Sequence, residues 1–590
     1  MKRATPFLLA VASGAAMALA LPLVLPFVSI RQLDAPGRLE LVAWVALVPA
    51  LLALRAATRL RGAFALGLVA GLTYFWCAIY WVSHAMTAFG GLSLPIATVA
   101  LGLLVLYMAV HWGAAFAVSW RIRDRLGWPL WTHLPLVWVA FELSRNYLAS
   151  GFPWANLGYT QARTLPVAQL AAAAGPYGIA ALVVLVNAVL AEAVAARREG
   201  RPAPIRALAA TGALVAAVVA GGALHLRAVR ATMASAFSLR VGVVQPNVDQ
   251  SVKNEARDNR DYILARLVPP TLEAERRGAD LVVWPEAAYP LYVPPDLDSL
   301  AQARSGLPAL TRAHVLVGAS TLAWRPGAAG QRVPQVGNAV FLVTPGREVL
   351  GRYQKHHLVP FGEYVPEWVH AVLPFVGHLV PTFAPVAPGN ELAVLSFTPP
   401  APTPPAAVAQ AVPASGAAAP APDTPAPPSH AAAPAPVRLA PLICFDAIFP
   451  EITAAFDRGS PEPELLVNPT NDAWYGYSSG PYQFLAIVRL RAIESGKAVL
   501  RPAYAGVSAV ILPTGEVAPG ALEVGPVDPD LAPDPAEPAR LLVADVPRLR
   551  GRTLYTSIGD LFAHASAAIT GLALLATFRR RRASEPSGEY

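Results

Sequence analysis

The sequence is poor in two kinds of residue that soluble and secreted proteins use freely. Charged side chains make up only 14% of its 590 residues, whereas hydrophobic residues make up 55%; ordinary soluble domains have about 25% charged residues. Cysteine occurs only twice, as Cys77 and Cys444, far apart in the chain. Two such distant cysteines exclude a disulfide framework as the basis of the fold. The low charge and high apolar content indicate a membrane protein.

Long apolar runs are abundant. A membrane-spanning helix needs about 20 mostly apolar residues, and the chain contains eight stretches of this kind. They lie near residues 5–29, 40–58, 62–84, 93–120, 127–144, 166–196, 207–226 and 556–578. The first stretch continues without a break to Ile30, so it predicts a first span rather than a cleaved signal peptide.

The positive charges predict how these spans are oriented. The net charge of +8 comes from arginines beside apolar segments, and they form no basic face with interleaved aromatics, so we expect no nucleic-acid partner. Clusters of Lys and Arg fall in every second connection, and such clusters stay on the cytoplasmic side. We therefore expect both termini in the cytoplasm. The expected domains are a membrane domain at 1–230 with about seven spans, an extracytoplasmic domain at 231–550, and a last span with a basic tail at 551–590.

The extracytoplasmic part has the pattern of an α/β domain, because short β-branched runs alternate with helical segments at 256–277 and 481–496. The predicted strands lie at 239–247, 280–288, 314–320, 338–345, 391–397, 438–446, 464–472, 507–517 and 540–547. Residues 398–437 are almost entirely Ala and Pro, and this composition predicts a solvated insertion without a core of its own.

Three reactive side chains stand beside apolar runs that predict strands. They are Glu286 in WPEAA, Lys355 in KHHLVPFGE, and Cys444 in ICFD. Each alone has an ordinary interpretation: a glutamate in a turn, a lysine in a solvated loop, and a cysteine packed as a small hydrophobe. The paired His356 and His357 could suggest a metal, but no second cluster has ligand spacing, so we expect neither a metal nor another cofactor.

Together these motifs resemble the nitrilase superfamily, whose α-β-β-α sandwich carries Glu, Lys and Cys in this chain order. The membrane half narrows the resemblance to the apolipoprotein N-acyltransferase family. The strings that carry it are VQPN (244–247), WPEAA (284–288), KHHLVPFGEYVP (355–366), ICFD (443–446), NPTNDAWYG (468–476), LRAIESGKAVLRPAYAGVSAVI (490–511) and, in the membrane half, GFPWANLGYTQ (151–161). The implied fold is a multi-pass α-helical membrane domain joined to a nitrilase-like sandwich.

The resemblance implies a role for each of the three residues. Glu286 would be the general base, Lys355 the electrostatic stabiliser, and Cys444 the nucleophile, which forms a thioester with an acyl chain from a phospholipid. The acyl acceptor would be the N-terminal amine of a diacylglyceryl-cysteine on an apolipoprotein, in a ping-pong reaction that completes lipoprotein maturation. It also implies a monomer in the bacterial inner membrane, with the catalytic domain on the periplasmic side.

Further residues are implied to support the site. Glu363 matches a second family glutamate that orients the lysine or closes the site. Phe445 and Asp446 stand where the family usually has Tyr and Glu, so they bear on substrate positioning rather than on acyl transfer itself. Trp474 and Tyr475 are residue types common at membrane interfaces, and they are predicted to line the substrate entrance.

Other functions remain open at this point. A membrane-anchored amidase or nitrilase-type hydrolase would use the same three residues, with water in place of the amine. A non-catalytic lipoprotein-binding membrane protein would fit the altered residues after Cys444. A transporter is disfavoured, because few charges lie within the spans and no pair of broken helices is evident.

Overall fold

A computed structural model of the chain describes residues 4–23, 39–88, 90–302, 306–326, 331–367, 369, 386–400, 435–476, 478–523 and 539–579. The predicted insertion at 398–437 lies almost wholly outside these residues.

Helices account for nearly all regular structure before residue 236. The helices among the described residues are α1 (Thr5–Leu19), α2 (Ala43–Ala46), α3 (Val48–Arg55), α4 (Leu60–Ile79), α5 (Val82–Ala88), α6 (Leu94–Leu126), α7 (Leu130–Ser144), α8 (Leu165–Ala168), α9 (Ala171–Arg198), α10 (Ile205–Ser235), α11 (Gln250–Asn254), α12 (Arg260–Arg276), α13 (Pro450–Arg458), α14 (Gly480–Ser495), α15 (Leu554–Ile558) and α16 (Leu561–Arg579).

Within the described residues, five helices are long and apolar enough to cross a membrane: α4, α6, α9, α10 and α16. The other three predicted spans coincide with shorter helices. Both α1 and α7 have 15 residues, and the stretch near 40–58 is divided between α2 and α3. The membrane character is thus confirmed, whereas the count of eight spans stays a prediction.

Two β-sheets form the second half of the chain. The strands are β1 (Ser238–Gln245), β2 (Leu281–Val283), β3 (Tyr289–Val293), β4 (His314–Pro326), β5 (Arg332–Val343), β6 (Val349–Gln354), β7 (Leu395–Phe397), β8 (Val437–Pro441), β9 (Leu465–Val467), β10 (Ala498–Arg501), β11 (Val507–Ile511), β12 (Leu522–Glu523) and β13 (Arg540–Pro547). The first sheet has the order β13-β1-β2-β4-β5-β6, with β3 also pairing with β4, and the second has the order β12-β11-β10-β9-β8-β7. Each sheet has a parallel centre, β1-β2-β4 or β8-β9-β10, flanked by antiparallel strands.

The two sheets face each other. Side chains along each strand alternate between this shared face and the outer face of the sheet. Val243 of β1 shares a buried core with Leu439 of β8 in the other sheet. Val282 of β2 points the opposite way and packs with Ile263 and Leu267 of α12. Helix α14 packs against β10 and β11 of the second sheet. The result is the predicted α-β-β-α sandwich.

Gln483 on α14 joins this sandwich to the membrane half. Its Oε1 accepts hydrogen bonds from the indole N–H groups of Trp81, at 3.3 Å, and Trp154, at 2.8 Å. Its Nε2 donates to the main-chain oxygens of Ala78, at 2.9 Å, and Pro22, at 3.1 Å. One buried amide therefore uses both its oxygen and its nitrogen in hydrogen bonds to the membrane half.

Candidate active site

Three chain segments bring the three predicted reactive residues to one place. Glu286 follows β2, Lys355 follows β6 directly, and Cys444 follows β8. All three are buried, with exposed fractions of 6%, 1% and 6%. Lys355 Nζ donates to Glu286 Oε1 at 3.0 Å, and the charges of both residues act on the Cys444 thiol. The cysteine, the lysine and the glutamate therefore form one cluster.

Two carboxylates share the same donors in this cluster. Lys355 Nζ lies 2.9 Å from Glu363 Oε2, in addition to its bond to Glu286. Asn338 Nδ2 donates to Glu286 Oε1 at 2.7 Å and to Glu363 Oε1 at 3.1 Å. The Val359 N–H group donates to Glu363 Oε2 at 2.8 Å. Lys355 is therefore bonded to both Glu286 and Glu363, and a role for Glu363 in orienting the lysine stays a prediction.

The electrostatics of the cluster set its protonation state. Burial alone would raise the pKa of Glu286, but the ammonium groups of Lys355 and Lys253 outweigh it and hold that pKa below its usual value. Burial opposes the charge on Lys355, yet Glu286 and Glu363 raise its pKa well above the ordinary value. Burial and the Glu286 charge raise the pKa of Cys444 to about 12, although Lys355 opposes the shift. These pKa shifts favour a carboxylate, an ammonium and a neutral thiol, and a neutral thiol needs a base in order to act as a nucleophile.

Cys444 occupies a strained turn. Its φ of +46° lies in the left-handed region, which costs a residue with a side chain about 1–2 kcal/mol. The Cys444 N–H group donates to the Pro469 oxygen at 2.8 Å, and Asn468 Nδ2 donates to the Cys444 oxygen at 3.3 Å. A short 3-10 helix, Cys444–Ile448, begins at this residue. The loop after β9 thus holds both main-chain polar groups of the cysteine in the turn.

Asp446 ties that turn to the segment that carries Lys355. Its side chain accepts from Tyr353 Oη at 2.9 Å, from the His357 N–H group at 2.7 Å and from the Ile443 N–H group at 3.0 Å. Tyr353 and His357 lie on either side of Lys355 in sequence. Asp446 is fully buried, and this burial raises its pKa to about 7. The aspartate therefore supports the relative placement of the cysteine and the lysine, and the Lys355 charge partly offsets the effect of burial on its pKa.

Phe445 connects the turn to the membrane half. Its ring centroid lies 6.2 Å from that of Phe152, 6.0 Å from His357 and 5.5 Å from Phe449. His357 Nε2 also lies 3.1 Å from the Ser150 oxygen, in the same membrane-half loop as Phe152. The residue after the cysteine therefore packs in an aromatic contact between the two halves.

The two residues predicted at the substrate entrance lie on a short 3-10 helix, Asp472–Tyr475. Both are half-buried. The Tyr475 ring packs against Trp81, at 4.7 Å between centroids, and Trp154, at 6.1 Å. Tyr475 thus fills the contact between the halves beside the cluster, and the part that it and Trp474 play for a substrate stays a prediction.

Sequence reasoning missed two residues of the cluster. Asn338 is a polar residue within an apolar run, NAVFLV, and this exception to the pattern was the available signal. Lys253 on α11 donates from Nζ to the main-chain oxygen of Glu286 at 3.0 Å. Its helix has five residues, and nothing in the surrounding sequence connects it with Glu286.

A four-layer sandwich with a buried Glu, Lys and Cys at its strand ends defines a carbon–nitrogen hydrolase type of domain, and residues 240–525 match the family described as Carbon-nitrogen hydrolase. Residues 7–189 match the family described as Apolipoprotein N-acyltransferase N-terminal domain. The solved structure of an amidase from Nesterenkonia sp. aligns with 55% of this chain and 95% of its own length, at 20% identity and a TM-score of 0.30.

Two curated relatives resemble the chain over most of its length. A protein of Geobacter metallireducens named apolipoprotein N-acyltransferase is 32% identical over 579 residues, which cover 98% of this chain and 96% of the relative. A protein of the same name from Rhodopseudomonas palustris is 29% identical over 87% of this chain and 85% of its own length. The chain belongs to the apolipoprotein N-acyltransferase family.

Proposed function

We propose that this protein transfers an acyl chain from a phospholipid, through a thioester on Cys444, to the N-terminal amine of a diacylglyceryl-cysteine on an apolipoprotein. Family membership over nearly the whole chain supports an acyltransferase. The observation that carries the mechanism is the buried Lys355 ammonium, which bridges Glu286 and Glu363 beside a neutral Cys444 thiol. Such a cluster supplies a nucleophile, a base and a cation at one point.

In the first half-reaction, Glu286 takes the Sγ proton as the sulfur attacks the ester carbonyl carbon of the phospholipid. The C–S bond forms, and the Lys355 charge stabilises the oxyanion. The C–O ester bond then breaks, and Glu286 returns the proton to the departing lysophospholipid oxygen. The site is left with a thioester on Cys444 and an ionised Glu286.

In the second half-reaction, the acceptor amine attacks the thioester carbonyl carbon. Glu286 now takes a proton from the amine nitrogen as the C–N bond forms. The C–S bond breaks, and the sulfur recovers its proton from Glu286. The product is an amide, and the free thiol is ready for another phospholipid.

The place of the site fits lipid substrates. The aromatic contact of Phe445 with Phe152 and the amide of Gln483 join the sandwich to the membrane half. We propose that the protein acts as a monomer in the bacterial inner membrane, with the sandwich on the periplasmic side and both termini in the cytoplasm. The alternation of arginine-rich connections supports this orientation.

The test uses purified full-length protein in detergent with a phospholipid as the only substrate. Mass spectrometry of the peptide that contains Cys444 is expected to show an added acyl chain, which disappears when a diacylated lipopeptide is supplied and an N-acylated lipopeptide forms. Cys444→Ser should carry no thioester. Release of free fatty acid at the same rate with and without the lipopeptide would instead identify a hydrolase, and the absence of any adduct would contradict the proposal.

A further inference from the structure

Lysine is rare in this chain, yet two of its lysines converge on one glutamate. The chain has four lysines (Lys2, Lys253, Lys355 and Lys497) among its 46 lysines and arginines. Lys355 reaches the carboxylate of Glu286 from the end of β6, at 3.0 Å. Lys253 reaches the main-chain oxygen of the same residue from α11, also at 3.0 Å. The proposed chemistry uses the first lysine and gives no role to the second.

The Lys253 ammonium is held by neutral groups. Its nitrogen lies 4.1 Å from the centroid of the Tyr504 ring, which is close enough for a cation–π interaction. In the amide orientation that satisfies its neighbours, Asn471 accepts from Lys253 Nζ at 3.1 Å. The third group is the Glu286 main-chain oxygen. These partners fix the position of the positive charge without cancelling it, so its field acts on the Glu286 carboxylate and on Cys444.

The charge balance of the site depends on this lysine. The groups whose charges act on Glu286 and Cys444 include Lys355 and Glu363 beyond β6 and Lys253 on α11. The Tyr475 hydroxyl also faces Glu286 and Cys444, and Asp446 faces Lys355 from the cysteine turn. With a neutral thiol, Lys355 and the two carboxylates bonded to it, Glu286 and Glu363, carry a net charge of −1 among themselves. Lys253 brings the sum to zero. An oxyanion that develops as the proton moves from Cys444 to Glu286 then forms in a neutral site rather than in a negative one.

We propose that Lys253 is a positioning residue for Glu286: it holds the glutamate main chain and, by its charge, keeps the carboxylate ionised to receive the Cys444 proton. This inference rests on the proposed function, because it assigns a determinant to its first half-reaction. Because Lys253 contacts the main chain of the base, the carboxylate oxygen Oε1 remains bonded to Lys355 and Asn338.

The direction of the expected pH effect follows from the charges. The Lys253 ammonium is among the groups that lower the pKa of Glu286, and burial lowers the pKa of Lys253 itself to about 8, against the pull of Glu286. Glu286 serves as a base only when it is ionised, so acylation rises with pH through its pKa. Removing the Lys253 charge raises that pKa and moves the acid limb of the acylation rate to higher pH.

The experiment measures the rate at which Cys444 is acylated by phospholipid, from pH 4 to 9, in the full-length protein. Lys253→Met should move the acid limb up by about one pH unit, with an about tenfold slower rate below the limb. Lys253→Gln keeps a hydrogen-bond donor but no charge, and it should shift the limb equally. Lys253→Arg keeps the charge and should retain the original limb.

Lys497→Met is the matched control. Lys497 is also buried, and it pairs with Asp457 at 3.0 Å and Glu462 at 3.3 Å. Its loss should lower the midpoint of thermal unfolding and leave the acid limb where it is. An unmoved limb in Lys253→Met and Lys253→Gln, or an arginine variant that shifts as much as they do, would overturn the proposal. If the native protein forms no acyl adduct, it is instead the proposed function that fails.

Discussion

The two cysteines of this chain lie in opposite surroundings. Cys77 is on helix α4, with ordinary helical backbone, and packs with the apolar side chains of the membrane half. Cys444 starts a turn with a φ of +46° and is buried beside Glu286 and Lys355. Each is a free thiol in an apolar protein. The two cysteines differ in backbone conformation and in the charged groups nearby. We therefore expect these surroundings, rather than the thiol itself, to determine which cysteine reacts.

The largest expected effect comes from removing each thiol in turn. Cys444→Ala takes away the proposed nucleophile and should lower acyl transfer to a diacylated lipopeptide by about a thousandfold or more. Cys77→Ala removes a thiol that only packs, so transfer should stay within about twofold of the native rate because the site is untouched. Quantitative mass spectrometry of the N-acylated lipopeptide checks both. Comparable losses in the two variants would end the distinction between the cysteines.

The surroundings of Cys444 were only partly predictable from sequence. Glu286, Lys355 and Cys444 could be found because each lies beside an apolar run, and motifs of one family contain all three. Lys253 and Asn338 were not predicted, because each contacts Glu286 from a distant segment of the chain and local sequence patterns do not indicate such contacts. The motifs did point to Asp446, but not to its partners Tyr353 and His357, which lie 93 and 89 residues earlier in the chain.

The strands, too, were only partly predictable from the sequence. The apolar β-branched runs predicted the central strands β1, β2, β4 and β8. Strand β6, VLGRYQ, was missed because Gly351 and Arg352 break its apolar pattern, although it is the strand that delivers Lys355. Strand β10 was missed because it follows α14 after only Gly496 and Lys497, with little to mark a boundary. Both strands are defined by pairing with neighbours that lie elsewhere in the sequence.

A second prediction concerns Asp446, which holds the turn at Cys444. Asp446→Ala would leave the Tyr353 hydroxyl and the N–H groups of Ile443 and His357 buried without their acceptor. We expect a loss of about 3 kcal/mol or more in the free energy of unfolding and a large loss of acylation, because the turn and Lys355 are no longer tied together. Thermal unfolding and the acylation rate are the measurements.

Asp545→Ala is the control for that variant. Asp545 pairs with Arg240 at 3.0 Å on the surface, and 59% of its side chain is exposed, so its removal should cost about 0.5 kcal/mol or less. If Asp446→Ala is no worse than Asp545→Ala in stability and in acylation, the turn is held by something other than this aspartate.

A third prediction concerns Gln483, which joins the membrane half around Cys77 to the sandwich that contains Cys444. Gln483 donates a hydrogen bond to the Ala78 oxygen, next to Cys77 on α4, and lies on α14, which packs against the sheet that precedes Cys444. Gln483→Leu would leave two indole N–H groups without an acceptor and should cost about 2 kcal/mol. Acylation from lipid should fall as the halves separate. The control is Gln335→Leu, because the Gln335 side chain accepts a hydrogen bond from the exposed Arg325. Equal stability of the two variants would contradict a coupling role for Gln483.

The smallest expected effect tests how finely the Cys444 turn is held. Tyr353→Phe removes one of the three hydrogen bonds to Asp446 and leaves both main-chain donors, so it should cost about 1 kcal/mol and slow acylation only a few-fold. Tyr262→Phe removes a hydroxyl that accepts from Arg266 on the exposed face of α12, and it should change neither quantity. A loss in Tyr353→Phe as large as that in Asp446→Ala would mean that the hydroxyl, rather than the two N–H groups, holds the aspartate. The strained cysteine would then depend on one side chain of β6 instead of on the main chain around Lys355.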